Sequence, residues 1–426
     1  MAEGGAAVRA PFELPARAAA RAATERRSSP LAFGLGVVWL AVILSGVIAW
    51  AFRSLSGNYF YVFMGIFLPY FLTFRLRQAA SLASRPQFWL WILTAFVPIV
   101  LFVTGSSDPW ATESMKARII SFSIVAGSAL VLVAPDARQM LRVSALIVLA
   151  LAIPICFVEL VAGSIFSVAE GRAAGLYGNP NDAGAALLVC LLFAVDLRSV
   201  TSGGLLLAAA TTAAVFATFS RSAMLFAIAL FTAYALAPRL GARGQGAQRV
   251  VMLGLIAVIA AAGIAWLSQN LDLSDEAAMR LQSLLSGNLS DSSTKDRIQL
   301  AEYSLQIVRE NFWGSGLGTV ERRMLEPHNT YLYLAIDYGI PGLLVYLTIL
   351  FAALGSALRA GWRRGANAIV IALLLMWSSL FTHYVATAGF FAVAFASFIS
   401  SSLVAPREEG APAGTAASAE EPFRGR

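Results

Sequence analysis

Three side chains in this sequence could do chemistry in company. His328 stands in "EPHNTYLYLAIDYGIPG" (326–342) and is one of only two histidines in the chain. Arg221 stands in "TFSRSAM", and Arg297 in "STKDRIQLAEYSLQIVREN". Histidine is the side chain whose ordinary pKa lies nearest neutrality, so it can take a proton from an attacking hydroxyl. Two arginines can neutralise a pyrophosphate leaving group, work that a divalent metal does elsewhere. No carboxylate cluster with metal-ligand spacing accompanies them, so the expected reaction needs no metal, nucleotide or other cofactor. Its energy would come from an activated, lipid-linked donor. Each residue also has a plainer reading: Arg221 as a cation snorkelling to headgroups, Arg297 as a solvated loop residue, His328 as an interfacial ring.

These residues have to be held by a membrane. The chain has 426 residues, 58% hydrophobic and 13% charged, where a soluble domain carries roughly a quarter charged residues. The apolar residues come in blocks long enough to cross a bilayer as helices. The expected class is an all-α integral membrane protein with about twelve transmembrane helices. They fall near 31–52, 57–74, 88–104, 118–134, 143–164, 182–197, 202–219, 222–238, 250–268, 329–354, 366–386 and 388–404. The net charge of +7 is spread singly and in pairs at the ends of these blocks, which encodes topology and not nucleic-acid binding. Cys156 and Cys190 fall inside apolar runs and read as small buried hydrophobes.

Orientation follows from the arginines. Arg26 and Arg27 precede the first span, Arg75 and Arg77 follow the second, Arg138 and Arg142 the fourth, Arg239 and Arg243 the eighth. The positive-inside rule makes that side cytoplasmic, with both termini there. The chain then divides into a cytoplasmic tail (1–30), nine spans (31–268), a large outer loop (269–328), three spans (329–404) and a cytoplasmic tail rich in Ala, Gly, Pro and Glu (405–426). In the large loop, Ile298, Ala301, Leu305, Val308 and Phe312 recur at the spacing of one helix face.

This topology sends the unusual polar residues to one side. His328 opens the tenth span, followed on the same helix by Asn329 and Asp337, and His383 lies near the outer end of the eleventh. At about 1.5 Å per residue, Asp337 lies some 13 Å along the helix from His328. It reads either as a functional intramembrane carboxylate or as the partner of a buried arginine. The outer loop "EGRAAGLYGNPNDAG" (170–184) adds Arg172, Asn179, Asn181 and Asp182 as candidate substrate contacts, although helix capping accounts for part of that pattern.

His328-Asn329 followed by Gly339 and Gly342 resembles a pattern of O-antigen ligases. "GLYGNPNDAG" is similar to a Gly-Asn-Pro-Asn element of that family, "FSRSAM" to its Ser-Arg-Ser turn, and "IVRENFWGSGLGT" with "PHNTYL" to the end of its large periplasmic loop. The resemblance to the O-antigen ligase and polymerase superfamily runs from about residue 175 to 350. It implies a bacterial inner-membrane glycosyltransferase acting on the periplasmic face. The donor would be a glycan on undecaprenyl pyrophosphate and the acceptor a sugar of lipid A–core. Arg221 and Arg297 would contact the pyrophosphate, and His328 would activate the acceptor hydroxyl. A polymerase of O-antigen or exopolysaccharide is the nearest alternative; the Arg-x10-Gly-type loop motifs of the polymerases are not clearly present. A secondary transporter is the alternative from another class, and the two halves lack the corresponding broken helices that many carriers show.

Overall fold

The computed structural model describes residues 28–48, 50, 58–104, 108–163, 165–199, 201–236, 282, 292–325, 327–382 and 388–404. No strand occurs among them. The helices are α1 (Pro30–Leu44), α2 (Asn58–Tyr70, running on to Ala83), α3 (Pro86–Thr104), α4 (Pro109–Leu132), α5 (Ala137–Ala162), α6 (Pro180–Ala194) and α7 (Ser202–Ala217). They continue with α8 (Arg221–Leu236), α9 (Ser292–Glu310), the short α10 (Thr319–Arg322), α11 (Thr330–Ala360), α12 (Trp362–Phe381) and α13 (Gly389–Ile399).

Six of these segments are long and apolar enough to cross a membrane: Phe60–Ala83, Pro86–Val103, Pro109–Leu132, Ala137–Ala162, Thr330–Ala360 and Arg364–Phe381. Five shorter apolar helices, α1, α6, α7, α13 and Arg221–Phe231 of α8, accompany them. The expected span near 250–268, both tails up to residue 27 and from 405, and the first part of the 269–328 loop apart from Gln282 lie outside the described residues.

Helices α6 and α13 are the centre of the bundle. Every residue from Phe390 to Ile399 is buried, as is all of Ala183–Ala194. A helix apolar on all sides is stable only when other helices surround it. Helix α13 packs on α4, α1 and α6, and α6 on α5, α7, α8 and α12. Gly184 lets α6 and α8 approach closely, since a Cβ there would lie 2.5 Å from that of Ala223 on α8. On the other side of the bundle Trp39 is buried within an aromatic cluster of Phe63, Phe67 and Phe71, its indole donating to Ser128 Oγ at 3.1 Å.

Three expectations need correction here. Arg75, read as a cation flanking the second span, is 1% exposed. Pro69 has no amide hydrogen for the preceding turn. A wide turn at Phe71–Arg75 follows it, with Arg75 turned inward to donate to the Tyr70 hydroxyl at 2.7 Å. Helix α4 begins at Pro109, capped by Asp108, and not near 118. Arg118 is therefore no residue at the mouth of a span but a buried one within it. The stripe expected on the loop helix is split: Val308 is buried beside Ser304 and Ile307, whereas Ile298, Leu305 and Phe312 are exposed.

Candidate functional site

Three helices begin at one end of the bundle, and each is preceded by a residue in the left-handed region. Gly178 (φ 69°) precedes α6, Phe219 (φ 48°) precedes α8, and His328 (φ 43°) precedes α11. A non-glycine residue in that region costs about 1–2 kcal/mol, so the turns at Phe219 and His328 are held by what surrounds them. Asn179 caps α6 by accepting from the Asn181 amide at 2.9 Å, with Pro180 at the first helical position. Thr218 Oγ1 accepts from the Ser220 amide at 3.2 Å, just before Arg221 opens α8. Asn329 caps α11 by accepting from the amides of Tyr331 and Leu332 at 2.9 and 3.2 Å.

Hydrogen bonds join these starts to one another. Arg172 is buried; its Nε donates to the Thr218 carbonyl at 3.0 Å and its Nη2 to Asn181 Oδ1 at 3.3 Å. One guanidinium thus ties the α7–α8 turn to the first turn of α6. The Trp377 indole of α12 donates to the Ser222 carbonyl of α8 at 3.1 Å. Thr330, at the start of α11, donates to the carbonyl of Thr382 at the end of α12 at 3.0 Å. Asn181, Ser222, Trp377 and Thr382 line a single small cavity of about 10 Å³ between them.

Arg172, Asn179, Asn181, Asp182, Arg221, His328 and Asn329 therefore share one end of the bundle. Arg221, His328, Asn181 and Asp182 are all partly exposed there. The starts of α6, α8 and α11 bring the positive ends of three helix dipoles to that end. Such an end favours an anion, and a phosphate is the group helix starts and arginines hold best. Asp182 is the countercharge within it.

Arg297 belongs to α9 and lies seven residues before Ser304, so both share the face turned to the protein. It is partly buried, not a solvated loop residue. His383 lies outside the described residues. Among the described residues no group of three His, Cys, Asp or Glu side chains comes together as a metal site.

Asp337, which read either as a functional carboxylate or as the partner of a buried arginine, is tied to the backbone of the chain before α11. It is 0% exposed, and its two oxygens accept from the backbone amides of Gly318 (3.0 Å) and Val320 (3.1 Å). Those bonds hold the chain between α9 and α11 against α11 itself. At the same level α11 breaks at Gly339 (φ 71°), and the Ile340 amide donates to the Phe312 carbonyl at 2.9 Å. A Cβ on Gly339 would fall 2.4 Å from the Trp313 carbonyl carbon, so only glycine fits where the two backbones cross. The buried arginine nearby is Arg118, whose guanidinium donates to the hydroxyls of Tyr338 (2.7 Å) and Tyr333 (2.8 Å) and lies over both rings.

Glu159 is the positioning residue that sequence reasoning left without a role. Its carboxylate accepts four backbone amides, from Phe166 (2.7 Å), Ser167 (2.9 Å), Ala174 (2.8 Å) and Gly175 (2.5 Å). These amides bracket Arg172. The signal was present, since Glu159 and Arg118 are ionisable residues inside apolar runs.

The described residues make an all-helical bundle whose long apolar helices mark a multi-pass membrane protein, with an anion-favouring end. Residues 205–347, about a third of the chain, match the family model described as O-antigen ligase, which supports a relationship to the O-antigen ligase superfamily. The match runs from α7 to just past the break in α11 and contains Arg221, Arg297, His328, Gly339 and Gly342. Members of that family are membrane enzymes of the glycan ligase and polymerase type. No curated protein matches the chain.

Proposed function

We propose that this protein is a glycosyltransferase that moves a glycan from undecaprenyl pyrophosphate to a sugar hydroxyl of lipid A–core, on the periplasmic face of the bacterial inner membrane. The observation that carries this reading is the meeting of Arg172, Arg221 and His328 with three helix starts at one end of the bundle, most of it inside the O-antigen ligase match. Twelve spans, cytoplasmic termini and a large periplasmic loop belong to the same reading.

In the step envisaged, the acceptor oxygen bonds to the anomeric carbon as that carbon's bond to the pyrophosphate oxygen breaks. The electron pair leaves with the pyrophosphate, which stays on its polyprenyl chain. The acceptor proton passes to the imidazole of His328. Arg221 and Arg297 meet the charge that develops on the leaving group, and Arg172 holds the turn that carries Arg221. A positioned general base contributes about 10²–10⁴-fold, so His328→Ala at normal expression should lose roughly that factor.

The test is the surface-polysaccharide profile of a deletion strain complemented with each variant. Loss of all capped lipopolysaccharide, with lipid-linked polymer accumulating, supports the ligase. Survival of single-repeat caps would make the protein a polymerase of the same superfamily. Full capping with His328→Ala or Arg221→Ala would overturn the assigned roles.

A further inference from the structure

Helix α9 has three sides. One packs on the protein through Ser304, Ile307 and Val308. A second is apolar and exposed: Ile298 and Leu305, seven residues apart and so on one line, are 55% and 43% exposed, and Phe312, in the turn just after the helix, is 54% exposed. Lys295, Glu302 and Arg309 run beside that line, also seven apart and exposed. The third side, Gln299, Gln306 and Glu310 with the Tyr303 ring among them, is exposed.

The height of this helix in the membrane can be read from α11. Exposed Arg359 stands near the far end of α11, and Gly339 is the break near its start. Twenty residues of helix separate them, about 30 Å at 1.5 Å each, which is the thickness of the hydrocarbon core. Gly339 thus lies at the boundary between hydrocarbon and headgroups on the side of the site. Phe312 is hydrogen-bonded to Ile340 at that level, and the adjoining Trp313 is 76% exposed. Tryptophan collects at that boundary because its ring is apolar and its N–H polar.

We propose that α9 is an interfacial helix, seated in the headgroup region of the leaflet on the site's side. Its Ile298–Leu305 line, with Phe312 and Trp313 in the turn after it, faces the lipid, and Lys295 and Arg309 meet anionic headgroup phosphates. The occupant of this surface is the protein's own membrane, since the exposed apolar line continues the lipid-facing surface of α11, where Leu344 is 56% exposed. A helix with an apolar line edged by cations binds a bilayer surface in this way. Water meets only the glutamine side. The large loop then does not stand clear of the membrane, and Arg297 approaches the bundle from a helix fixed at the lipid surface.

The test uses the full chain in vesicles of phosphatidylethanolamine and phosphatidylglycerol, with Cys156 and Cys190 replaced by alanine. Spin labels are placed on Ile298→Cys, Gln299→Cys, Leu305→Cys, Gln306→Cys and Phe312→Cys. Labels at 298, 305 and 312 should collide several-fold more with oxygen than with a water-soluble nickel chelate, and those at 299 and 306 the reverse. Equal access of the chelate to positions 305 and 306 would overturn the proposal. Replacing phosphatidylglycerol by phosphatidylcholine should make the labels at 298 and 305 shallower. An unchanged depth would overturn the part given to Lys295 and Arg309. All five positions, four on α9 and one in the turn after it, are exposed, and two adjacent pairs keep the comparison intact if one variant folds poorly. The readout is lipid depth, so it is independent of whether the protein transfers glycans.

Discussion

Removing the acceptor at Glu159 should release the loop that carries Arg172 while leaving the bundle intact. Glu159→Gln keeps one carbonyl oxygen, which can still receive two of the four amides. The other oxygen becomes an NH₂ group facing two N–H donors. The pair that suffers most is Ala174 and Gly175, because both are buried and cannot turn to water. An unsatisfied buried donor costs about 1–3 kcal/mol, so the local penalty is roughly 2–4 kcal/mol with some relaxation. At 1.4 kcal/mol per factor of ten, that is about a 100-fold rise in the population of the opened loop. Hydrogen–deuterium exchange of a peptide covering 166–177 reads it directly, with a peptide of α6 as the internal reference. Arg172 should then lose its hold on Thr218 and Asn181, and transfer activity should fall through weaker donor binding more than through the chemical step. Unchanged exchange at Ala174 and Gly175 in Glu159→Gln would refute the reasoning. Release of the loop with full activity would separate Arg172 from the site.

Gly339→Ala should destabilise the protein by about 2–4 kcal/mol, from overpacking and a left-handed alanine, measured as a fall in Tm. Ala substituted at Gly355 of the same helix, where a Cβ meets nothing within 4 Å, should do no such harm. Arg118→Leu strands the hydroxyls of Tyr333 and Tyr338 and the Glu321 carboxylate that Tyr333 reaches. It should cost about 3–5 kcal/mol, as breaking a buried polar cluster does, against a smaller loss for Arg118→Lys in the same thermal assay. Asp196 lies beyond the end of α6; burial raises its pKa, but hydrogen bonds and charge from Arg198 and Arg138 outweigh this and hold it below the usual carboxylate range. A depressed pKa contributes stability that is present above the unfolded value of about 4 and is lost as pH falls through the folded one. The Tm difference between wild type and Asp196→Asn should therefore hold at neutral pH, begin to shrink as pH falls through about 4, and vanish only below the folded value.

The amino-acid order alone determined that this chain is a bundle of membrane helices, because apolar blocks of that length have no other stable home. It also determined the local turns before α6, α8 and α11. Asn179 with Pro180 and Asn329 with Thr330 are capping patterns whose hydrogen bonds reach only two or three residues along the chain. The residues that give the site its family resemblance sit in those turns and were legible for that reason. What the partners of each charge would be was not legible. Asp337 looked like a functional carboxylate until its amides at Gly318 and Val320 were in place. Arg118 looked like the mouth of a span until α4 started nine residues earlier. Which part of the α9 stripe packs on the protein was not legible, because hydrophobic periodicity does not say what an apolar line faces. Only packing decided these points, since a buried charge is defined by contacts that come from far along the chain. The union of Arg172, Thr218, Asn181 and Trp377 at one end of the bundle is of that kind.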